Sequence, residues 1–368
     1  MARQITYPMK RHDGPPAMFR RRLISGIVCA ACRCVDGYGA AANGAIAIDL
    51  DGPAPRSINA YQLFKDVARQ LPNDGLMPYE INAPLFSDYA EKYRFLYMPP
   101  GQKATYDDQE SFLFPVGSVL VKTFAYPNDR RDPAAGERII ETRLLIHRPK
   151  GWVGYPYIWN DDLSDARLAV AGAQVPVSWI HDDGMKREMI YTVPNMNQCN
   201  VCHRNNNTVA PIGPKARQLN RRINSSYGPV NQLAHWIEKE ILWGAPGGPE
   251  AIPAMPPWDD PSASIEQRGR SYLDGNCAHC HRPGGDAGFR GLEFTWAYPK
   301  KMEDRAISSP TRPVISFCLP RLRATEPWRV MPRIGRTIPH DEGIALLEAW
   351  EGAIQGGLQP PMFRHSAR

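Results

Sequence analysis

Two copies of the pattern Cys-x-x-Cys-His constrain this 368-residue chain more than any other feature. The first occupies residues 199–203 and the second residues 277–281. In each copy two thiols lie within one turn and a histidine follows directly, the spacing that attaches a haem covalently and ligates its iron. The sequence therefore predicts two c-type haems. The attachment residues would be Cys199, Cys202, Cys277 and Cys280, and the proximal iron ligands would be His203 and His281.

A zinc site is the alternative interpretation of the same cysteines. Four thiolates from two C-x-x-C arms could form a zinc knuckle. Such a knuckle does not require a histidine directly after each second cysteine, so haem attachment is the preferred interpretation.

The length and net charge of the chain limit the number of its domains and the kinds of partner it can bind. A chain of this length suits two or three domains, each able to bury its own core. The net charge is only +6, and the basic residues cluster near the N-terminus at Arg11 and residues 20–22. Nucleic-acid binding is therefore not expected.

Residues 18–42 have the pattern of an export signal. A basic start, Met18–Arg22, precedes an apolar run of ten residues, and Ala40–Ala42 offer small residues for cleavage. The pattern predicts a periplasmic protein, with acylation of Cys32 as a lipoprotein as the alternative. An apolar run of ten residues is too short to span a bilayer, so no transmembrane segment is expected in the mature chain.

The middle of the chain alternates apolar and polar residues with the period of a β-strand. The predicted strands begin near Tyr93 and end at Val193, with Asp183-Gly184 as a hairpin turn. They predict a β-sandwich or barrel over residues 91–193. Residues 43–90 are expected to be extended or helical, with one helix over Ala60–Leu71.

Helical signals follow the β region. Ser264–Gln267 reads as a capping box, and apolar residues at helical spacing near Trp350 predict a terminal helix. The predicted fold class is multi-domain α+β, with mostly α-helical cytochrome segments after the β-rich domain. The predicted boundaries are 1–42 leader, 43–90 N-terminal segment, 91–193 β-rich domain, 194–258 first haem segment, 259–356 cytochrome c domain and 357–368 tail.

Residues 262–356 resemble small c-type cytochromes. In that fold a helix with small residues crosses a helix with an aromatic residue, and Gly269 and Trp350 would occupy these positions here. From about Tyr61 to Trp350 the chain also resembles an uncharacterised family of exported bacterial dihaem c-type cytochromes. The stretches that carry this likeness are Pro84–Tyr89, Glu141–Leu145, Pro194–Cys199, Pro211–Pro214, Asn276–His281 and Met331–Arg336. Between Gly291 and Ser309 the sequence departs from the family pattern. Related modules fused to quinoprotein sugar-dehydrogenase-like domains imply a redox partner protein.

The sixth iron ligands are predicted from residues that follow each motif. Met331 precedes a proline and a glycine and resembles the methionine loop of small cytochromes, so it is the expected ligand of the second haem. Its alternative role is to fill the core. For the first haem the candidates are Met255 and His235, or an open iron. His279, inside the second motif, is expected to point away from the iron.

These features predict a periplasmic dihaem cytochrome that relays single electrons from an exported, quinoprotein-type dehydrogenase to a terminal acceptor. No catalytic residue is assigned. The alternatives are a dihaem peroxidase-like enzyme, in which one haem keeps an open distal face, and a haem-containing module whose β domain binds a sugar or a partner.

Overall fold

A computed structural model describes residues 45–225, 228–296 and 314–357. The predicted export signal, the tail beyond Gly357 and most of the 291–309 departure lie outside these residues. No helix within the described ranges combines the length and apolar character that a membrane span needs.

The described chain forms sixteen strands and six α-helices. In chain order the strands are β1 (Phe64–Asp66), β2 (Leu71–Pro72), β3 (Leu76–Pro78), β4 (Glu91–Tyr97), β5 (Ala104–Thr105), β6 (Val119–Pro127), β7 (Glu137–Arg148), β8 (Gly151–Trp159), β9 (Ala166–Leu168), β10 (Ala173–Ile180), β11 (Lys186–Val193), β12 (Arg204–Asn205), β13 (Thr208–Val209), β14 (Arg222–Ser225), β15 (Gly228–Asn231) and β16 (Leu242–Trp243). The helices are α1 (Met196–His203), α2 (Ala216–Leu219), α3 (Gln232–Glu238), α4 (Ile265–Asn276), α5 (Val314–Arg323) and α6 (Asp341–Gly357).

A six-stranded antiparallel sheet in the order β3-β4-β6-β7-β8-β9 is the largest element. Its residues alternate between two faces, as strand geometry requires. One face buries Phe95, Val121, Leu144 and Tyr157 against the segment around Tyr61. This first face forms one hydrophobic core.

The second face of the sheet is apolar at both ends. At one end Leu120 and Leu145 pack with Trp236 of α3. At the other end Phe124 and Tyr126 pack against the hairpin β10–β11. The first Cys-x-x-Cys-His motif lies against this face between the two apolar ends, near Arg143 and Gly154.

The strand positions predicted from the sequence agree with β4 and β6–β11, and Asp183-Gly184 forms the turn between β10 and β11. The predicted sandwich or barrel is replaced by an open sheet with edge strands β3 and β9 and a separate hairpin. The alternating pattern identifies strands but does not specify which strands pair.

The predicted helix over Ala60–Leu71 is wrong. A single 3-10 turn over Ile58–Tyr61 is followed by the short strands β1 and β2. Gln62 and Gln70 have positive φ angles of 54° and 47°, and this left-handed backbone interrupts a helix.

The predicted mostly α-helical cytochrome segments are also wrong. Strand residues outnumber helical ones in the described chain, and residues 194–258 contain only three short α-helices and one 3-10 turn among five short strands. A physical reason is visible at β12–β13, where Asn206 and Asn207 adopt positive φ angles and turn the chain into a hairpin.

The C-terminal helices contain the expected crossing. Ser264 and Gln267 form the capping box at the start of α4. A Cβ atom added at Gly269 would lie 2.2 Å from the ring of Trp350 in α6, so glycine is needed for this close approach.

This contact gives a stability prediction. Gly269→Ala should lower the free energy of unfolding by about 1–3 kcal/mol, because the methyl group overpacks against Trp350. The control Gly352→Ala lies in α6 with open space around its position and should raise stability by up to about 1 kcal/mol. Equilibrium urea unfolding measures both changes. Equal effects of the two substitutions would contradict the packing described here.

Candidate functional site

The first Cys-x-x-Cys-His motif lies on the last turns of α1. Asn195 and Gln198 form a capping box that begins this helix directly after β11. The helix packs on the second face of the sheet at β8, where a Cβ atom added to Gly154 would lie 2.9 Å from Cys199 Sγ. The absence of a side chain at Gly154 allows the motif to lie directly on the sheet.

The second motif begins where α4 ends. The Cys277 amide donates to Leu273 O at 2.8 Å and the His281 amide to Cys277 O at 2.9 Å, which continues a tight turn through the motif. Asn276 Oδ1 accepts a hydrogen bond of 2.7 Å from the Phe86 amide. The Pro84–Tyr89 segment therefore holds the start of the motif.

The two motifs meet. Ligand atoms of Cys202, His279 and Cys280 all lie within 4.8 Å of one another, and Cys280 Sγ lies 3.5 Å from Val201 O. The interaction between the thiols lowers the pKa of Cys202 and raises that of Cys280. Haem attachment, the preferred interpretation of the sequence, does not require this contact between motifs that are far apart in the chain.

His203 is oriented for metal binding. Its Nδ1–H donates to Ala210 O at 2.8 Å, and since a carbonyl only accepts, the Nε2 lone pair is left available. Burial, together with Lys122, lowers the pKa of His203 to about 4. The imidazole is therefore neutral at pH 7, which is the form that ligates metals.

His281 and Met331 line one cavity of about 430 Å³ with Cys277 and Cys280. Burial lowers the pKa of His281, so this imidazole is also neutral. Its Nδ1 is buried and has no hydrogen-bond partner among the described residues. The structure thus brings the predicted second attachment motif and its predicted sixth ligand to the same cavity.

The first motif lines a different cavity, of about 140 Å³, through Cys199, Cys202 and His203. Neither Met255 nor His235 is part of its wall. Met255 is fully buried and its amide donates to Arg217 O at 3.0 Å, while His235 lies on α3. The structure does not bring either candidate sixth ligand to the first motif.

His279 is the residue that the sequence interpretation underrated. It lines both cavities, is 3% exposed, and its buried Nδ1 has no hydrogen-bond partner among the described residues. A histidine at a variable position of the motif is the only sequence signal for it.

Arg336 holds the loop that carries Met331. Its guanidinium donates to Met331 O at 2.8 Å, Ile338 O at 3.0 Å, Arg321 O at 2.9 Å and Ala324 O at 3.1 Å. These four bonds join the loop to the end of α5. This role was not identified from the sequence.

The opposite side of the same loop is tied to the N-terminal segment. Asp88 Oδ1 accepts hydrogen bonds from the amides of Thr337 at 2.6 Å and Ile338 at 3.0 Å. The segment that contacts the second motif therefore also fixes the position of the Met331 loop.

The donor set fits a covalently attached haem at each motif. Each offers two thiols and a neutral imidazole, and the second cavity lies within the range of about 300–1,000 Å³ typical of small-molecule sites. The first cavity, at about 140 Å³, is smaller. A four-thiolate zinc site does not match the geometry, because Cys199 and Cys277 lie outside the group formed by Cys202, His279 and Cys280.

Comparisons of the chain with protein-family models, with curated proteins and with solved structures each returned no match.

The loop geometry gives a second prediction. Arg336→Met should cost on the order of 3 kcal/mol of stability, because it leaves buried carbonyls without donors. It should also speed amide hydrogen exchange at residues 331–338. Arg329→Met, at an exposed position just before the loop, is the control and should change neither quantity. Unchanged exchange in the Arg336 variant would show that other contacts hold the loop.

Proposed function

We propose that this protein is a dihaem c-type cytochrome that relays single electrons between partner proteins. The observation that supports this most is that each Cys-x-x-Cys-His motif lines a cavity, that Cys202 lies at the wall of both cavities, and that the motifs contact each other through Cys202 and Cys280. Two haems attached to these residues would be neighbours.

The chain's own residues define how two haems would be held. Cys199 and Cys202 would form thioethers to one haem and Cys277 and Cys280 to the other, with His203 and His281 as neutral axial ligands. Haem iron, when attached, supplies a one-electron couple whose potential depends on its axial ligands and surroundings. No other catalytic group is required for relay.

The contact between the motifs favours relay within one chain. Cys202 Sγ and Cys280 Sγ lie within 4.8 Å of each other, and each would be bonded to a haem edge. An electron that passed between the haems would therefore cross the two thioether linkages and the gap of at most 4.8 Å between the two sulfurs. A protein that received electrons at one haem would be able to pass them on from the other.

Met331 favours an electron carrier over a peroxidase. It lines the same cavity as His281, and a thioether ligand closes the iron to substrates and raises its potential. The periplasmic location, the quinoprotein-type donor and the terminal acceptor remain proposals that rest on the sequence pattern and the family resemblance.

A metal-ion site is the rival function that one observation favours. Cys202, His279 and Cys280 present two sulfurs and one nitrogen within 4.8 Å of one another, a donor set that suits zinc. The two proposals exclude each other, because thioether formation consumes both of these thiols.

Cofactor content distinguishes the two proposals. Chain produced with a haem-maturation system should contain two haems by the pyridine haemochrome assay, two iron atoms and no zinc by elemental analysis. The variant with Cys199 and Cys202 changed to Ala should retain one haem. One zinc per chain without haem would favour the rival site and contradict the proposal.

Ligation by Met331 is tested separately. Met331→Ala should lower one of two midpoint potentials and weaken the red ferric charge-transfer band, because the thioether that favours ferrous iron is lost. Haem content should stay at two. Met185→Ala, at a position 61% exposed on the β10–β11 turn, is the control. Identical potentials and spectra in both variants would mean that Met331 only packs.

A further inference from the structure

Three basic residues lie side by side on the second face of the sheet. Arg94 of β4 is directly opposite Lys122 of β6, and Lys122 is directly opposite Arg143 of β7. Directly opposed residues have Cβ atoms about 4.5–5.5 Å apart, so the three side chains form one continuous basic row.

The basic row faces the first motif. All three side chains line the cavity of about 140 Å³ whose wall also contains Cys199, Cys202 and His203. Each is only partly exposed. Two arginine charges are therefore directed into the space between the sheet and α1. The Lys122 amine lies between them, and burial together with both arginines lowers its pKa to about 7.

Two of the three side chains in the basic row have no ion pair among the described residues. Arg143 pairs with Glu141, which also accepts a hydrogen bond from Tyr191. Arg94 donates to Lys92 O at 3.2 Å and, among the described residues, has no ion pair. Lys122 has neither a hydrogen bond nor an ion pair there, and its ammonium lies 5.3 Å from the centre of the Phe124 ring.

Other charges on the cavity wall do not neutralise the basic row. Lys215 is itself basic and lies 3.9 Å from Glu110, and Asp274 lies 3.5 Å from Arg217. Like charges directly opposite each other destabilise a sheet, and charges removed from water are costly without partners. An anion in the cavity would offset both costs.

We propose that Arg94, Lys122 and Arg143 bind the propionate carboxylates of the haem attached to Cys199 and Cys202. This inference rests on the proposed function. The thioethers are formed at the vinyl side of the macrocycle, and the two propionates project from another edge with two negative charges. Arginine and lysine give the charge-assisted bonds that suit such carboxylates.

The expected consequence is control of the first haem's potential. A positive charge beside the propionates favours the ferrous, less positive state of the iron by screening their negative charge. Removing that charge therefore lowers the midpoint potential of this haem more than that of the second, because Met331 and His281 line a different cavity, farther from the basic row.

The test compares three single substitutions in the holoprotein. Lys122→Gln removes the charge, Lys122→Arg keeps it, and Lys150→Gln makes the same change at an exposed site between β7 and β8. Haem content is measured by pyridine haemochrome and both potentials by spectroelectrochemical titration. Arg94→Gln provides a second charge-removing variant if Lys122→Gln does not fold.

We expect two haems in every variant. In the charge-removing variants of the basic row the potential of the first haem should fall, and by more than that of the second. Lys122→Arg and Lys150→Gln should match the parent protein. Two haems with unchanged potentials in Lys122→Gln or Arg94→Gln would overturn the propionate assignment and leave the proposed function standing. Absence of haem from the parent protein would overturn both.

Discussion

The contact between Cys202 and Cys280 is the constraint on which the rest of the site depends. It requires α1 and the turn after α4 to approach within 4.8 Å, although the chain between them contains several short elements. Gly154 permits α1 to lie on the sheet, and the hydrogen bond from the Phe86 amide to Asn276 holds the second motif. Both anchors come from parts of the chain that precede the motifs.

The second face of the sheet gives this contact its setting. Its two apolar ends pack against α3 and against the β10–β11 hairpin, so each end is a stable core. The middle is left for charged side chains and for the first motif. A sheet that was apolar throughout would pack more favourably but would have no place for an anionic group. The arrangement is consistent with a scaffold that holds a charged cofactor on a rigid element.

Local features of the fold could be predicted from the sequence, and long-range ones could not. The alternating residues of β6–β8 and the capping box at Ser264 are local signals, and both elements occur where the sequence places them. The open sheet in place of a sandwich or barrel depends on strand pairing, which alternation does not encode. The helix expected over Ala60–Leu71 is absent, and Tyr61 and Leu63 are instead buried in the core on the first face of the sheet, a tertiary contact that helical spacing does not encode.

The candidate site shows the same division. The spacing within the two motifs identified six residues, three from each motif, and all six line the two cavities. The pattern of the loop after the second motif identified Met331, which lines the second cavity. Met255 and His235 were chosen by their distance along the chain, which does not determine distance in space. The roles of His279, Arg336 and the basic row depend on tertiary contacts and cross-strand register, and no local pattern contains that information.

Peptide mapping by mass spectrometry would decide whether both motifs carry covalently bound haem, as we propose. Protein from cells with a haem-maturation system would be digested, and haem-bearing peptides would be identified by their visible absorbance and mass. We expect two such peptides, one containing Cys199 and Cys202 and the other containing Cys277 and Cys280. Each should be heavier than the unmodified peptide by the mass of one haem. Recovery of both peptides at their unmodified masses, with all four thiols free to alkylate, would contradict the proposal.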